Sequence, residues 1–287
     1  MGSDCNSCAD TGCAARTRQG NETDKELSDR RQLQQRLCRI SRKLLIMSGK
    51  GGVGKSTTAV NLALAMAKEG RKVGLLDVDI HGPSVPKMLG LDDYRPEVRD
   101  GDGIEPAFCQ GVKVMSIGFL LKNSSDAVIW RGSMKHGAIR QFLSEVNWGE
   151  LDDLIIDCPP GTGDEPLSVV QLVGATAQAV IVTTPQAVAL LDVSKSITFC
   201  RNLELPIAGI VENMSGFHCP HCQELINLFG TGGGEQLASE MKVPFLGRIP
   251  GDPQMVIAGD CGTPLVSLHA TAPAAEAFVT IARNLIT

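Results

Sequence analysis

No apolar run in this 287-residue chain approaches the ~18 residues a membrane span requires, so a membrane protein is not expected. A basic excess is also missing. Lys and Arg number 27 against 32 Asp and Glu, a formal charge of −5, which argues against a dedicated nucleic-acid binder. Residues 1–40 are too polar for a signal peptide. Histidine is scarce, with five in all, too few for the His-rich tracts of a chaperone that handles single metal ions. There is no internal repeat and no low-complexity tract. What remains is an ordinary soluble composition, 43% hydrophobic and 21% charged, long enough to bury a sizeable core. The expectation is a cytoplasmic protein without nucleic-acid or membrane partners. In that compartment thiols stay reduced, so clustered cysteines point to metal or redox chemistry.

Cysteine is not scarce: there are ten. Cys109, Cys158, Cys200 and Cys261 are isolated and read as small buried hydrophobes. Cys5, Cys8, Cys13 and Cys38 lie in the first 38 residues, and Cys219 and Cys222 form a Cys-Pro-His-Cys pair. Taken alone, that pair fits a dithiol redox site, half of a metal site, or plain thiols. Two thiolates cannot close a tetrahedral site.

Residues 1–40 read as a flexible, cysteine-containing segment, with 1–22 a mobile tail and about 24–40 a short helical lead-in. From 41 to 287 apolar strands alternate with helical spacing. Strands are expected at 43–48, 72–79, 112–118, 153–160, 178–185 and 206–214, with a short one at "PFLGRIP". Helices are expected at 55–70, 134–146 and about 188–203, after "GGG" near 232, and at 271–286. In 55–70, Val60, Leu64 and Ala67 share one face. Continuous apolar strands separated by helices imply an α/β fold, a doubly wound, mainly parallel β-sheet flanked by helices. The loops after such strands carry the chemistry. Here they are 48–56, 77–84, 157–165 and 212–224.

The first of these loops is "SGKGGVGKST". It fits G-x-x-x-x-G-K-[ST], with Gly49, Gly54, Lys55 and Ser56 at the fixed positions. Backbone N–H groups of Gly49 to Thr57, including Lys50, Gly51, Gly52 and Val53, converge on phosphate oxygens in such a loop. Lys55 would neutralise the β- and γ-phosphates, and the Ser56 hydroxyl would ligate Mg²⁺. Lys50 is a second lysine inside the loop. It is either a solvated charge or, in a deviant Walker A loop, a cation that reaches a nucleotide phosphate. Asp79 ends the next strand, where a carboxylate can orient the attacking water. Asp157 ends a buried strand at the Walker B position, near Mg²⁺. Asn213 ends another, where an amide can read an adenine edge.

From about Arg42 to its end the chain resembles the Mrp/ApbC-type P-loop NTPases, relatives of MinD and the nitrogenase iron protein. The resemblance rests on "SGKGGVGKSTTAVNLA", "DVDIHGPSVPKMLG", "WRGSMKHGAIRQFL", "DCPPGTGDE", "VENMSGFHCPHC" and "GRIP". It implies a SIMIBI-type fold, a homodimer with ATP between the protomers, and Lys50 contacting the partner's nucleotide. It also implies that Cys219 and Cys222 bind a bridging 4Fe–4S cluster, two pairs giving four thiolates. The expected function is an ATP-hydrolysing carrier that passes the cluster to apo iron–sulfur proteins, with a related partner subunit as a further expectation. A bridging Zn²⁺ and a thioredoxin-like oxidant compete for the cysteine pair. A MinD/ParA-type positioning switch and a metal-insertion NTPase compete for the function. "CNSCADTGC" looks like the N-terminal ferredoxin-like motif of the eukaryotic-type scaffolds, but it departs from it. No cysteine lies upstream and the last gap is one residue short, so Cys5, Cys8 and Cys13 would need Cys38 or another group as fourth ligand.

Overall fold

The computed structural model describes residues 15–286 except 16, 19, 81, 100–102, 122–131, 175, 220 and 223. In chain order the elements are α1 (Asp24–Leu37), β1 (Ile40–Met47), α2 (Lys55–Lys68), β2 (Val73–Asp77), α3 (Val85–Met88), β3 (Val98–Arg99), β4 (Gly103–Ile104), β5 (Ala107–Cys109), β6 (Val112–Ser116), α4 (Gly132–Glu145), β7 (Leu151–Asp157), α5 (Asp164–Val173), β8 (Ala177–Thr183), α6 (Ala187–Asn202), β9 (Ile207–Glu212), β10 (Phe217–His218), β11 (Leu225–Ile226), α7 (Gly233–Glu240), β12 (Phe245–Arg248), α8 (Pro253–Asp260), α9 (Leu265–Leu268) and α10 (Pro273–Ile286).

Eight strands form one sheet in the order β12-β9-β8-β1-β7-β2-β6-β5. Every pairing in it is parallel except that of β5 with β6. The central strands are buried almost from end to end because helices flank the sheet, so their sequences read as nearly unbroken apolar runs. The expected mainly parallel α/β fold is therefore what the chain adopts. The strand β1 starts at Ile40, earlier than the apolar run at 43–48 suggests. Pairing of Ile40 with Leu151 and of Arg42 with Asp153 extends it backward, and the Lys43 that follows is buried. The ammonium lies 2.8 Å from the Leu37 and Ile40 carbonyl oxygens and 2.6 Å from Thr176 Oγ1. A lysine here ties the last turn of α1 to the sheet.

The α1 helix begins with a capping box in which Thr23 and Glu26 satisfy each other's backbone N–H groups. Leu33 and Leu37 are buried in the core. A single apolar face on 55–70 is too narrow a description of α2. Ten of its residues, Lys55 and Thr58 to Met66, are buried, because α2 packs between the sheet and α10. Asn61 Oδ1 accepts the Val266 N–H at 3.2 Å, and the Lys68 ammonium donates to the Val266 carbonyl. Sequence spacing does not anticipate α5. Its first turn, Asp164-Glu165-Pro166, looks like loop. Acids suit the positive end of a helix, and proline is tolerated in the first turn. Among the described residues no helix is long and apolar enough to cross a membrane.

Candidate functional site

The register brings three strand ends together. Ile46 of β1 and Asp77 of β2 both stand opposite Asp157 of β7. The phosphate loop follows directly on β1. It turns at Gly54, whose φ of +82° favours glycine. A Cβ there would lie 2.2 Å from Asn213 Nδ2. The loop thus closes against the end of β9, and Asn213 Nδ2 donates to the Val53 carbonyl at 2.9 Å. Gly49 is equally tight, since a Cβ on it would lie 2.4 Å from the Asp192 backbone of α6.

Lys55 is buried at the start of α2. Its ammonium is 2.6 Å from Asp157 Oδ1, 3.5 Å from Asp79 Oδ2 and 3.3 Å from Ser56 Oγ. Burial opposes its charge, but Asp157 and then Asp79 hold its proton, so its pKa rises. Burial raises the Asp157 carboxyl against the pull of Lys55. Asp77 is fully buried, accepting from the Asp79 N–H at 3.0 Å and from Ser116 Oγ at 2.8 Å. Burial first, and the Asp157 charge second, push it up to about 8. A carboxyl raised to about 8 keeps its proton near neutral pH, so Asp77 stands in the cluster as a carboxylic acid. Among the described residues, Asp157 Oδ2 and Ser48 Oγ are buried with no hydrogen-bond partner at normal distance. A buried carboxylate oxygen left unpaired at the mouth of a phosphate loop is what a hard divalent cation with oxygen ligands fits.

A cleft of about 220 Å³ opens over this cluster, lined by Lys50, Gly51, Gly52, Lys55, Ser56, Thr57, Asp79 and Pro160. Pro160 belongs to the loop after β7, which is fastened to the phosphate loop by the Gly161 N–H donating to the Ser48 carbonyl at 2.8 Å. A second, apolar pocket of about 370 Å³ adjoins it, sharing Gly54 and Thr57 and walled by Met214, Phe217, Leu228, Phe229, Pro250 and Val256. Asn213 lines this second pocket. Its apolar wall is absent from the sequence reading. The available signal was Gly-Asp-Pro at 251–253, a turn after a parallel strand. There Asp252 caps α8 by accepting the Gln254 N–H at 2.8 Å.

The chain between β9 and α7 holds the cysteine pair at the turn of the β10–β11 hairpin, whose register pairs Phe217 with Ile226. Cys219 is half-buried and Cys222 exposed. The Cys222 and His221 backbone N–H groups, then the Cys222 thiol, donate to the Cys219 sulfur and hold its thiol below the usual range. Among the described residues no group of three or more His, Cys, Asp or Glu could hold a metal. Cys158 and Cys200 are buried, and burial raises both thiols, Cys200 to about 12. They fit the expected role of small hydrophobes. Cys261 is exposed and Cys109 half-buried, so the expectation that these two are buried is corrected. Both sit at element ends, Cys109 closing the edge strand β5 and Cys261 following α8. Cys38 is exposed at the C-terminal cap of α1, donating to the Gln35 carbonyl at 3.4 Å. Cys5, Cys8 and Cys13 lie outside the described residues.

The model of the ParA family described as "NUBPL iron-transfer P-loop NTPase" matches residues 39–286. The iron–sulfur cluster carrier protein of Methanocaldococcus jannaschii is 51% identical over 255 residues, 88% of this chain and 87% of that protein. The cytosolic Fe–S cluster assembly factor NUBP2 homolog of Trichoplax adhaerens is 52% identical over 254 residues, 87% of this chain and 96% of that protein. Among solved structures, the nucleotide-binding protein of Archaeoglobus fulgidus in complex with ADP superposes with a TM-score of 0.72 at 45% identity, covering 81% of this chain and 91% of that one.

Proposed function

Because the chain belongs to the ParA family of P-loop NTPases, in its NUBPL-type iron-transfer group, we propose that it is an ATP-dependent iron–sulfur cluster carrier. It assembles a 4Fe–4S cluster between two copies and delivers it to apo-proteins. The observation that carries this reading is the cysteine pair at the hairpin turn. It offers two thiolates, one with a depressed pKa, and no further ligand stands with them among the described residues. A second copy related by a two-fold axis supplies the other two. The apolar side chains around the hairpin, Leu225, Ile226 and Leu228, with Val188 and Leu191 on α6, are exposed. An apolar surface of that kind beside a half-site favours a homodimer. The cytosolic naming of the Trichoplax relative supports a cytosolic setting.

The chemistry of the cleft follows from its residues. The loop N–H groups and the start of α2 bind the phosphates. Lys55 moves from its carboxylate partners toward the β- and γ-phosphates, and Asp157 Oδ2 and Ser56 Oγ would hold Mg²⁺. When bound, that ion would supply neutralisation of the phosphate charge. Asp79 orients the attacking water, and Lys50, at the open rim, reaches the partner's nucleotide. The apolar pocket takes the base, with Asn213 at its edge. Loss of the γ-phosphate is felt at Pro160 and Gly161, whose loop is tied to Ser48.

Anaerobic iron and sulfide analysis of the wild type and of a Cys219→Ala/Cys222→Ala variant tests the reading. About four Fe and four sulfide per dimer, with a broad absorbance near ~400 nm that the variant loses, is the expected result. Iron that persists in the variant locates a second site at the N-terminal cysteines. Binding of colourless zinc alone, or of no metal, refutes the carrier reading.

A further inference from the structure

Glu212 is the last residue of β9, fully buried, and neither cleft nor hairpin uses its side chain directly. Its carboxylate nevertheless holds both ends of the chain segment that carries the cysteines. At the near end, Ser215 Oγ donates to Oε1 at 2.5 Å. At the far end, the Gly232 N–H donates to Oε1 at 2.8 Å and the Gly234 N–H to Oε2. Ser215 and Thr231 also join the two ends directly, Oγ to Oγ1 at 3.0 Å. Arg248 Nε lies 3.6 Å from Oε1 and balances the charge. The near end is fixed to the nucleotide side as well. The next residue, Asn213, donates to Val53 of the phosphate loop and stands against Gly54.

Between these two ends the segment does two things at once. Met214, Phe217, Leu228 and Phe229 wall the apolar pocket, and the turn between β10 and β11 presents Cys219 and Cys222. A base that fills the pocket presses on the limbs of the hairpin. The push reaches the cysteines only while the two ends stay clamped. With loose ends the segment shifts as a whole and the strain dissipates.

We propose that Glu212 is a positioning residue that clamps the cysteine hairpin to the nucleotide cleft, so that nucleotide binding changes the metal affinity of Cys219 and Cys222. The proposal rests on the carrier reading above. A purely structural role is the alternative, since the Gly232 and Gly234 N–H groups are at the start of α7 and a carboxylate there caps the helix.

Cobalt(II) titration of the full chain, with and without Mg·ADP, separates the two. The thiolate-to-cobalt absorption is followed, and the signal of the Cys219→Ala/Cys222→Ala variant is subtracted to remove other thiols. In the wild type the cysteine-dependent cobalt affinity should change ~5-fold or more on adding nucleotide. In Glu212→Gln that ratio should fall close to one, while each ligand alone binds nearly as in the wild type. Ser215→Ala removes the near-end bond to Glu212 and the Ser215–Thr231 contact, and leaves both α7 bonds in place. It should also lose most of the ratio while melting near the wild-type temperature, and it decides the matter if Glu212→Gln does not fold. If both variants keep the full ratio, Glu212 is only a helix cap and the proposal is overturned. A wild type that binds cobalt at the cysteines but shows no nucleotide effect overturns it too, leaving the carrier reading intact. Absence of any cysteine-dependent signal overturns the carrier reading and this proposal together.

Discussion

Replacing Asp77 with Asn in the nucleotide-free protein should make it more stable at neutral pH and leave it nearly unchanged in acid. Asp77 is fully buried beside Asp157, and its carboxyl is pushed from the ordinary 3.8 up to about 8. The folded protein therefore holds a proton that the unfolded chain releases anywhere between those values. Stability from this group is fully present below pH ~4, falls as the pH rises through the window, and is exhausted above pH ~8. Each pH unit inside the window costs ~1.4 kcal/mol for one isolated proton. Exchange of charge with Asp157 and Lys55 spreads the titration, so from about pH 5 to about pH 7 the working figure is roughly 2 kcal/mol. Asn does not titrate. Its carbonyl still accepts the Asp79 N–H, and its amide can donate to Ser116 Oγ. The difference in stability between variant and wild type should thus grow by roughly 2 kcal/mol over that range, or ~3 °C in melting temperature for a chain of this size. Thermal and urea unfolding of both proteins, stripped of nucleotide and divalent cations, measures it, and groups that do not interact with Asp77 cancel in the comparison. A difference that stays constant with pH, or that shrinks toward neutrality, refutes the assignment of a proton to Asp77.

Two further outcomes follow from the geometry. Gly54→Ala forces a left-handed alanine, at ~1–2 kcal/mol, and drives Asn213 off the Val53 carbonyl, at ~1 kcal/mol. Nucleotide affinity by calorimetry should drop at least ~10-fold, equivalent to ~1.4 kcal/mol, and unchanged affinity would show that the loop does not depend on that contact. In metal-free protein, Cys219 should alkylate with an apparent pKa below the usual ~8.5, while Cys158 and Cys200 stay unmodified. Peptide mapping across a pH series checks this, and a Cys219 that titrates at or above the free value contradicts the N–H donation from Cys222 and His221.

The parts of the site legible in the sequence were the local ones. Gly54, Lys55 and Ser56 are contiguous, and a phosphate loop needs only a strand before it and a helix after it. Asp157 was legible because a carboxylate at the end of a buried run is costly unless a cation meets it. The apolar pocket was not, because its walls come from segments around positions 54, 214, 229 and 250, joined only by the parallel strand order. Nor was the acid form of Asp77. Its neighbour Asp157 is 80 residues away in sequence and opposite it only through the register of β2 and β7. Glu212 drew no reading from the sequence. Its part depends on the far end of a long excursion returning to the same oxygen atoms. The α5 helix was hidden by a proline and two acids whose positions suit a helix start as well as a loop.

The burial of α2 against α10 bears on the order of events during synthesis. The helix that begins with the phosphate-loop lysine is made early, yet the surface that covers it comes from residues near 265 and beyond. While the ribosome is still translating the cysteine hairpin, the face of α2 that packs against α10 has no such cover. A cell making this protein has to shield an apolar helix until the last helix of the fold is made.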